Sequence, residues 1–128
     1  MRARSLGVWL CVLWGGWVSG NAWAQAYPHK PIKFVVGYPP GGSGDFVTRT
    51  VGEAIAEELG QAAVIDNRPG AAGNLASEFV SKSAPDGYTL LVGSNPYINK
   101  ALYKKLPYDI EKDFQPVSLL GNGPMVIA

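Results

Sequence analysis

The sequence predicts an α/β fold, an open and mainly parallel sheet with flanking helices, and three observations predict it. Short apolar runs rich in β-branched and aromatic residues recur along residues 27–128. Segments with apolar residues three and four apart separate the first of these runs. Clusters of Gly, Pro, Asn and Asp punctuate the junctions. A β-α-β-α-β order of this kind implies parallel strands covered on both faces, joined by right-handed crossovers.

The chain opens on a different composition. Arg2 and Arg4 precede Leu6 to Val18, a run of 13 residues without a charge, and Ala22-Trp23-Ala24 and Ala24-Gln25-Ala26 follow it. A positive start, an apolar middle and a small-x-small end form the plan of a cleavable secretory signal peptide, assigned to residues 1–26. The run is shorter than the roughly 18–20 apolar residues of a bilayer crossing. Cys11 sits inside the run and is expected to leave with it, as are all four Trp. Without Arg2 and Arg4 the 11 basic residues become 9 against 10 acidic, a formal charge of −1 for residues 27–128. A near-neutral chain lacks the basic footprint of a nucleic-acid or anionic-membrane binder. Without cysteine the exported part is expected to have no disulfide and no thiolate site.

Ile32 to Val36 reads as the first buried strand. Tyr38-Pro-Pro-Gly-Gly-Ser-Gly44 ends it, because two prolines lack N–H donors. A helix follows, with Ser43 or Asp45 as its cap, Val47, Val51, Ala54, Ile55 and Leu59 on one face, and Gly60 as its stop. Ala63 to Ile65 is the second strand, and Asp66 to Gly70 turns the chain. Ala71 to Asn74 leads into a second helix with Leu75, Phe79 and Val80 inward. After a turn at Pro85-Asp86-Gly87 comes a third strand, Tyr88 to Val92. A helical turn is expected around Ile98 to Tyr103 and irregular chain at Leu106 to Asp109. Pro116 to Leu120 and Met125 to Ala128 read as two further strands.

Three loops follow the three main strands: Tyr38 to Asp45, Pro69 to Asn74 and Gly93 to Tyr97. Ligands of open α/β sheets sit beyond the carboxyl ends of the strands. The first two loops run into helix starts, where unpaired N–H groups and the helix dipole attract anions. Ser43, Asn74, Ser94 and Asn95 add neutral donors, which suit reversible capture of a carboxylate. For any one loop the alternative is a tight connection in which Ser43 or Asp45 only caps a helix. Tyr38 and Tyr97 could wall a pocket or pack as ordinary surface aromatics.

Enzyme readings find less support. Gly42-Ser43-Gly44 lacks the Lys-Ser/Thr ending of a phosphate-binding loop, and Val47 stands where a dinucleotide fingerprint has its third glycine. A nucleophile elbow needs Gly where Asp45 stands. His29 is the only histidine and is read as a solvated surface residue, so no multi-histidine metal site is available. The acidic residues form no pair suited to acid–base work. No cofactor is implied.

The string Tyr27-Pro-x-Lys-Pro-Ile-Lys-Phe-Val-Val36, followed by Pro39-Pro-Gly-Gly42 with Asp45, resembles the N-terminal lobe of the tripartite tricarboxylate transporter substrate-binding proteins, the Bug receptors. The likeness continues through Leu59-Gly60-Gln61, Asn67-Arg-Pro-Gly-Ala71 with Gly73-Asn74, Ala84 to Leu90, Leu106 to Asp109 and Asp113-Phe114-x-Pro-Val117. It implies the N-terminal lobe of a two-lobed periplasmic-binding-protein fold, residues 27–128 being that lobe. It further implies a monomeric periplasmic receptor, a small carboxylated solute held between lobes by backbone amides and waters, and membrane permease subunits as partners. Carried over by position, the contacts are Tyr38, Pro39, Gly41, Gly42, Ser43 and Asp45 from the first loop, Gly73 and Asn74 from the second, and Ser94 and Asn95 from the third. Two departures stand out. Gly44 directly precedes Asp45 where the family has Thr or Ser, and the chain stops at Ala128, before a second lobe, so a truncated, incomplete lobe is expected. The competing reading is an exported α/β structural or partner-binding module whose loops are only turns.

Overall fold

The computed structural model describes residues 26–93 and 96–121. Three strands, β1 (Ile32–Val36), β2 (Ala63–Asn67) and β3 (Thr89–Val92), form one sheet in the order β2-β1-β3. Both pairings are parallel, with Phe34 opposite Ile65 on one side and Leu90 on the other. β1 is therefore central, which explains its continuous apolar sequence: Val35 and Val36 are fully buried. The helices are α1 (Ser43–Leu59), α2 (Asn74–Ser81) and α3 (Pro96–Leu102), with a 3-10 turn at Ala71–Gly73 leading into α2.

Alternation along β1 assigns one helix to each face. Ile32 and Phe34 form the core with Tyr88, joined by Ile55 of α1 and by Ala63, Ile65, Leu90 and Val92 of the strands. On the other face Lys33 lies over the Phe79 ring of α2, and Gly37 approaches Ala76. The order of elements and the parallel sheet agree with the sequence reading.

Several details differ from it. Neither Ser43 nor Asp45 caps α1; the cap is Gly42, in extended conformation. The buried face of α1 is Asp45, Thr48 and Gly52, whereas Ala54 and Leu59 are exposed. The reason is closeness: a Cβ on Gly52 would stand 3.3 Å from the Ala63 Cβ and 3.4 Å from the Ile65 Cδ1, so only a small residue lets the helix lie there. The Thr48 hydroxyl bonds to the Gly44 carbonyl at 2.6 Å and enters the interior already satisfied. Leu75 is exposed, and α2 buries Asn74, Ala76 and Ser77 instead. β2 runs two residues further than expected, because Asp66 and Asn67 pair with Val35 and Val36. Pro116 to Leu120 makes no strand: it has no ladder partner among the described residues, and Val117 and Leu119 are exposed. The strand expected at Met125 to Ala128 lies outside the described residues.

At the amino end of the sheet, side chains clasp the segment preceding β1. The Tyr27 and Tyr88 rings lie 4.9 Å apart, and the Tyr27 hydroxyl donates to the Gly87 carbonyl. The Tyr88 hydroxyl accepts from the His29 N–H and bonds to His29 Nδ1, both at 2.9 Å. Lys30 lies over the Tyr88 ring and pairs with Asp86 at 2.9 Å. His29 is exposed, as expected, yet its ring is anchored.

Candidate functional site

The carboxyl ends of the three strands open onto a cleft of about 470 Å³. Gly37, Tyr38 and Pro39 line it after β1, Pro69, Gly70, Ala72 and Gly73 after β2, and Gly93 after β3. Ser77, Leu91, Ile98, Asn99 and Leu102 complete it, and no charged side chain stands in this lining.

The first loop is shaped by its prolines and glycines. Pro39 O accepts from Gly42 N–H at 3.4 Å, with Pro40 and Gly41 between them. Gly41 has φ +81, as the third position of a type II turn requires, and Pro suits the second. Asp45, 3 % exposed, braces this turn from the helix. Its Oδ2 accepts from Gly41 N–H and from Arg49 Nε, each at 2.9 Å, and its Oδ1 accepts from the Asn67 amide at 2.8 Å. The same Asn67 amide donates to the Tyr38 carbonyl at 3.2 Å, tying the end of β2 to the first loop. The Arg49 bond, then the Gly41 N–H and the Asn67 amide, hold the Asp45 carboxyl well below the usual carboxylate range.

The second loop carries unusual backbone. Gly70, Ala71, Ala72 and Gly73 all have positive φ, from +47 at Ala71 to +130 at Gly70. For each alanine the left-handed conformation costs about 1–2 kcal/mol, so surrounding contacts must hold it there. The Gly73 N–H bonds to the Gly70 carbonyl at 2.9 Å. The Asn99 amide donates to the Ala72 carbonyl at 3.0 Å and to Asn74 Oδ1 at 2.8 Å, and the Tyr108 hydroxyl donates to that same Oδ1 at 2.6 Å. All three side chains of this knot are buried. The first and second loops nearly touch: a Cβ on Gly37 would lie 3.1 Å from the Gly73 Cα.

Of the residues expected at the site, Tyr38, Pro39 and Gly73 line the cleft. Gly41, Gly42, Ser43, Asp45 and Asn74 are not among its lining residues: Gly41 and Ser43 are exposed elsewhere on the surface, and Asp45 and Asn74 are buried. Asp45 and Asn74 direct their side-chain oxygens at internal donors. Ser94 and Asn95 lie outside the described residues. Sequence reasoning missed Ile98, Leu102 and Asn99. The first two are an i, i+4 apolar pair on a short helix, half or more exposed, and that spacing was the available signal. Asn99 carries no comparable signal.

The family described as "Tripartite tricarboxylate transporter family receptor" matches residues 47–128. Protein BugT of Bordetella pertussis is 39% identical over 107 residues, covering 81% of this chain and 33% of that protein. A structure described as that of a periplasmic transporter is 44% identical with a TM-score of 0.69, covering 73% of this chain and 32% of that one. MatC from Rhodopseudomonas palustris with bound malate is 42% identical, also at a TM-score of 0.69, covering 73% and 33%. The chain thus spans about a third of the length of the relatives it matches.

Proposed function

This chain belongs to the tripartite tricarboxylate transporter receptor family, and from that premise we propose that the whole protein captures a small carboxylate outside the cytoplasm and delivers it to membrane permease subunits. Residues 1–26 are the export signal in this reading, and residues 27–128 contribute one wall of the binding cleft of a monomeric receptor. The observation that carries it is the cleft at the carboxyl ends of β1, β2 and β3, formed by Gly-rich backbone and neutral side chains. Helices α1 and α2 begin at this end, so their first-turn N–H groups and positive dipole ends favour an anion there. A carboxylate held by amides and waters leaves readily, as a delivery receptor requires, whereas a buried counter-charge would hold it longer.

Asp45 and Asn74 act in this account by holding the loops rather than by touching the solute. The reading is non-catalytic: His29 lies at the opposite end of the sheet from the cleft, engaged by Tyr88. The bound malate of MatC is a property of that relative, and it supports a carboxylate as the class of solute here. A thermal-shift panel of mono-, di- and tricarboxylates and aromatic acids on the whole protein tests the proposal. At least one acid raises the melting temperature in proportion to the logarithm of its concentration above Kd; a panel without any such response overturns it.

A further inference from the structure

Gly44 occupies the first turn of α1, where a glycine weakens a helix relative to alanine. Its φ is not among the positive ones, so the backbone does not demand a glycine. The space does. A Cβ at position 44 would lie 2.4 Å from Tyr38 Cδ2 and 2.9 Å from Cε2. The Tyr38 ring is seated in the notch that the missing side chain leaves, and Tyr38 also lines the cleft. Leu91, Ile98 and Leu102 line the same cleft. Ile98 and Leu102 are 50% and 71% exposed, apolar surface with room for an apolar neighbour.

We infer that Tyr38, held in the Gly44 notch, selects carboxylates that carry an apolar body over compact hydroxylated ones. The inference rests on the cleft being the carboxylate site and goes further by naming the selecting residue and its positioning partner. Tyr38 supplies an aromatic wall, and Leu91, Ile98 and Leu102 supply aliphatic ones, so an apolar body is removed from water against them. Hydroxyl groups of a compact acid lose water against Leu91, Ile98 and Leu102, and the donors of the polar lining residues Ser77 and Asn99 are already engaged by Gly73, Ala72 and Asn74. Gly44 acts through Tyr38: any side chain at 44 displaces the ring and reshapes the wall.

The test is calorimetric titration of the whole protein with cyclohexanecarboxylate and with malate. The wild type is expected to prefer cyclohexanecarboxylate by about tenfold or more, within the range apolar pockets discriminate. Gly44→Thr and Tyr38→Ala each reduce that ratio several-fold. The double variant behaves like Tyr38→Ala alone, because the threonine has room once the ring is gone. Tyr38→Ala leaves α1 uncrowded, so it decides the matter even if Gly44→Thr does not fold. A wild-type preference for malate, a ratio unchanged in Tyr38→Ala, or additive effects in the double variant overturns the inference while leaving a carboxylate receptor standing. Absence of binding by every carboxylate overturns both.

Discussion

The two ends of the sheet are made from the same three strands and solve different problems. At the amino end, Tyr27, His29, Lys30, Asp86 and Tyr88 close on one another through ring contacts, hydrogen bonds and an ion pair. At the carboxyl end, four consecutive positive-φ residues and a type II turn surround a cleft, and polar side chains hold them from behind. At the carboxyl end, the Asp45 brace holds the first-loop turn and the Asn74 knot holds the strained second loop, while the cleft stays open. Backbone strain held by its surroundings clusters at active sites and ligand clamps.

The largest expected effect that separates the two ends is Asp45→Ala. It leaves the Gly41 N–H, the Arg49 guanidinium and one bond of the Asn67 amide without their acceptor. Thermal melts with and without ligand should show a lower melting temperature and loss of the carboxylate-induced rise; an unchanged ligand response breaks the comparison. The same group sets a pH signature. Its folded pKa is depressed from the model-compound value of 3.8, so ionised Asp45 stabilises the fold fully above that value and the contribution is lost as pH falls below it. Urea midpoints measured into acid should therefore fall further for the wild type than for Asp45→Ala.

Next in size is Asn74→Leu, which removes the acceptor of both Asn99 and Tyr108. Leaving two buried donors unpaired costs about 2 kcal/mol or more, read by urea denaturation of the whole protein. Smaller and opposite in sign is Ala72→Gly. Ala72 has φ +54, and glycine there relieves the left-handed strain, stabilising by about 1 kcal/mol. A destabilised variant would contradict the strain assignment. Smallest is Tyr88→Phe at the amino end, which keeps the rings together and loses the hydroxyl bonds to His29. The cost is about 1 kcal/mol, with the ligand response unchanged.

The legible part of the molecule was what local chemistry controls. Short apolar runs and Pro/Gly junctions gave away β1, α1, β2, α2 and β3 and placed the loops at one sheet edge. The face of α1 was legible in part: Ile55 packs on the core and Val47 and Val51 are half-buried, but Ala54 and Leu59 are exposed, because the close approach to Ala63 and Ile65 needs Gly52, and Thr48 is buried beside it. Pro116 to Leu120 is composed like a strand, yet a strand exists only with a partner, and none of the described strands pairs with it. Of the residues the sequence singled out, Tyr38, Pro39 and Gly73 line the cleft. The sequence did not distinguish them from Asp45 and Asn74, whose partners Asn67, Asn99 and Tyr108 lie 22, 25 and 34 residues away. Such pairs depend on how the chain returns, which no local pattern encodes.

The central claim is that a carboxylate is held by backbone amides at the carboxyl end of the sheet. Amide chemical-shift mapping of the isotope-labelled whole protein, titrated with an acid that raises its melting temperature, tests it most directly. Within residues 26–121, the account predicts shifts concentrated in 37–44 and 70–76, with 27–30 and 86–88 silent. Shifts centred on the Tyr27–Tyr88 clasp, or none in the two Gly-rich loops, would contradict it.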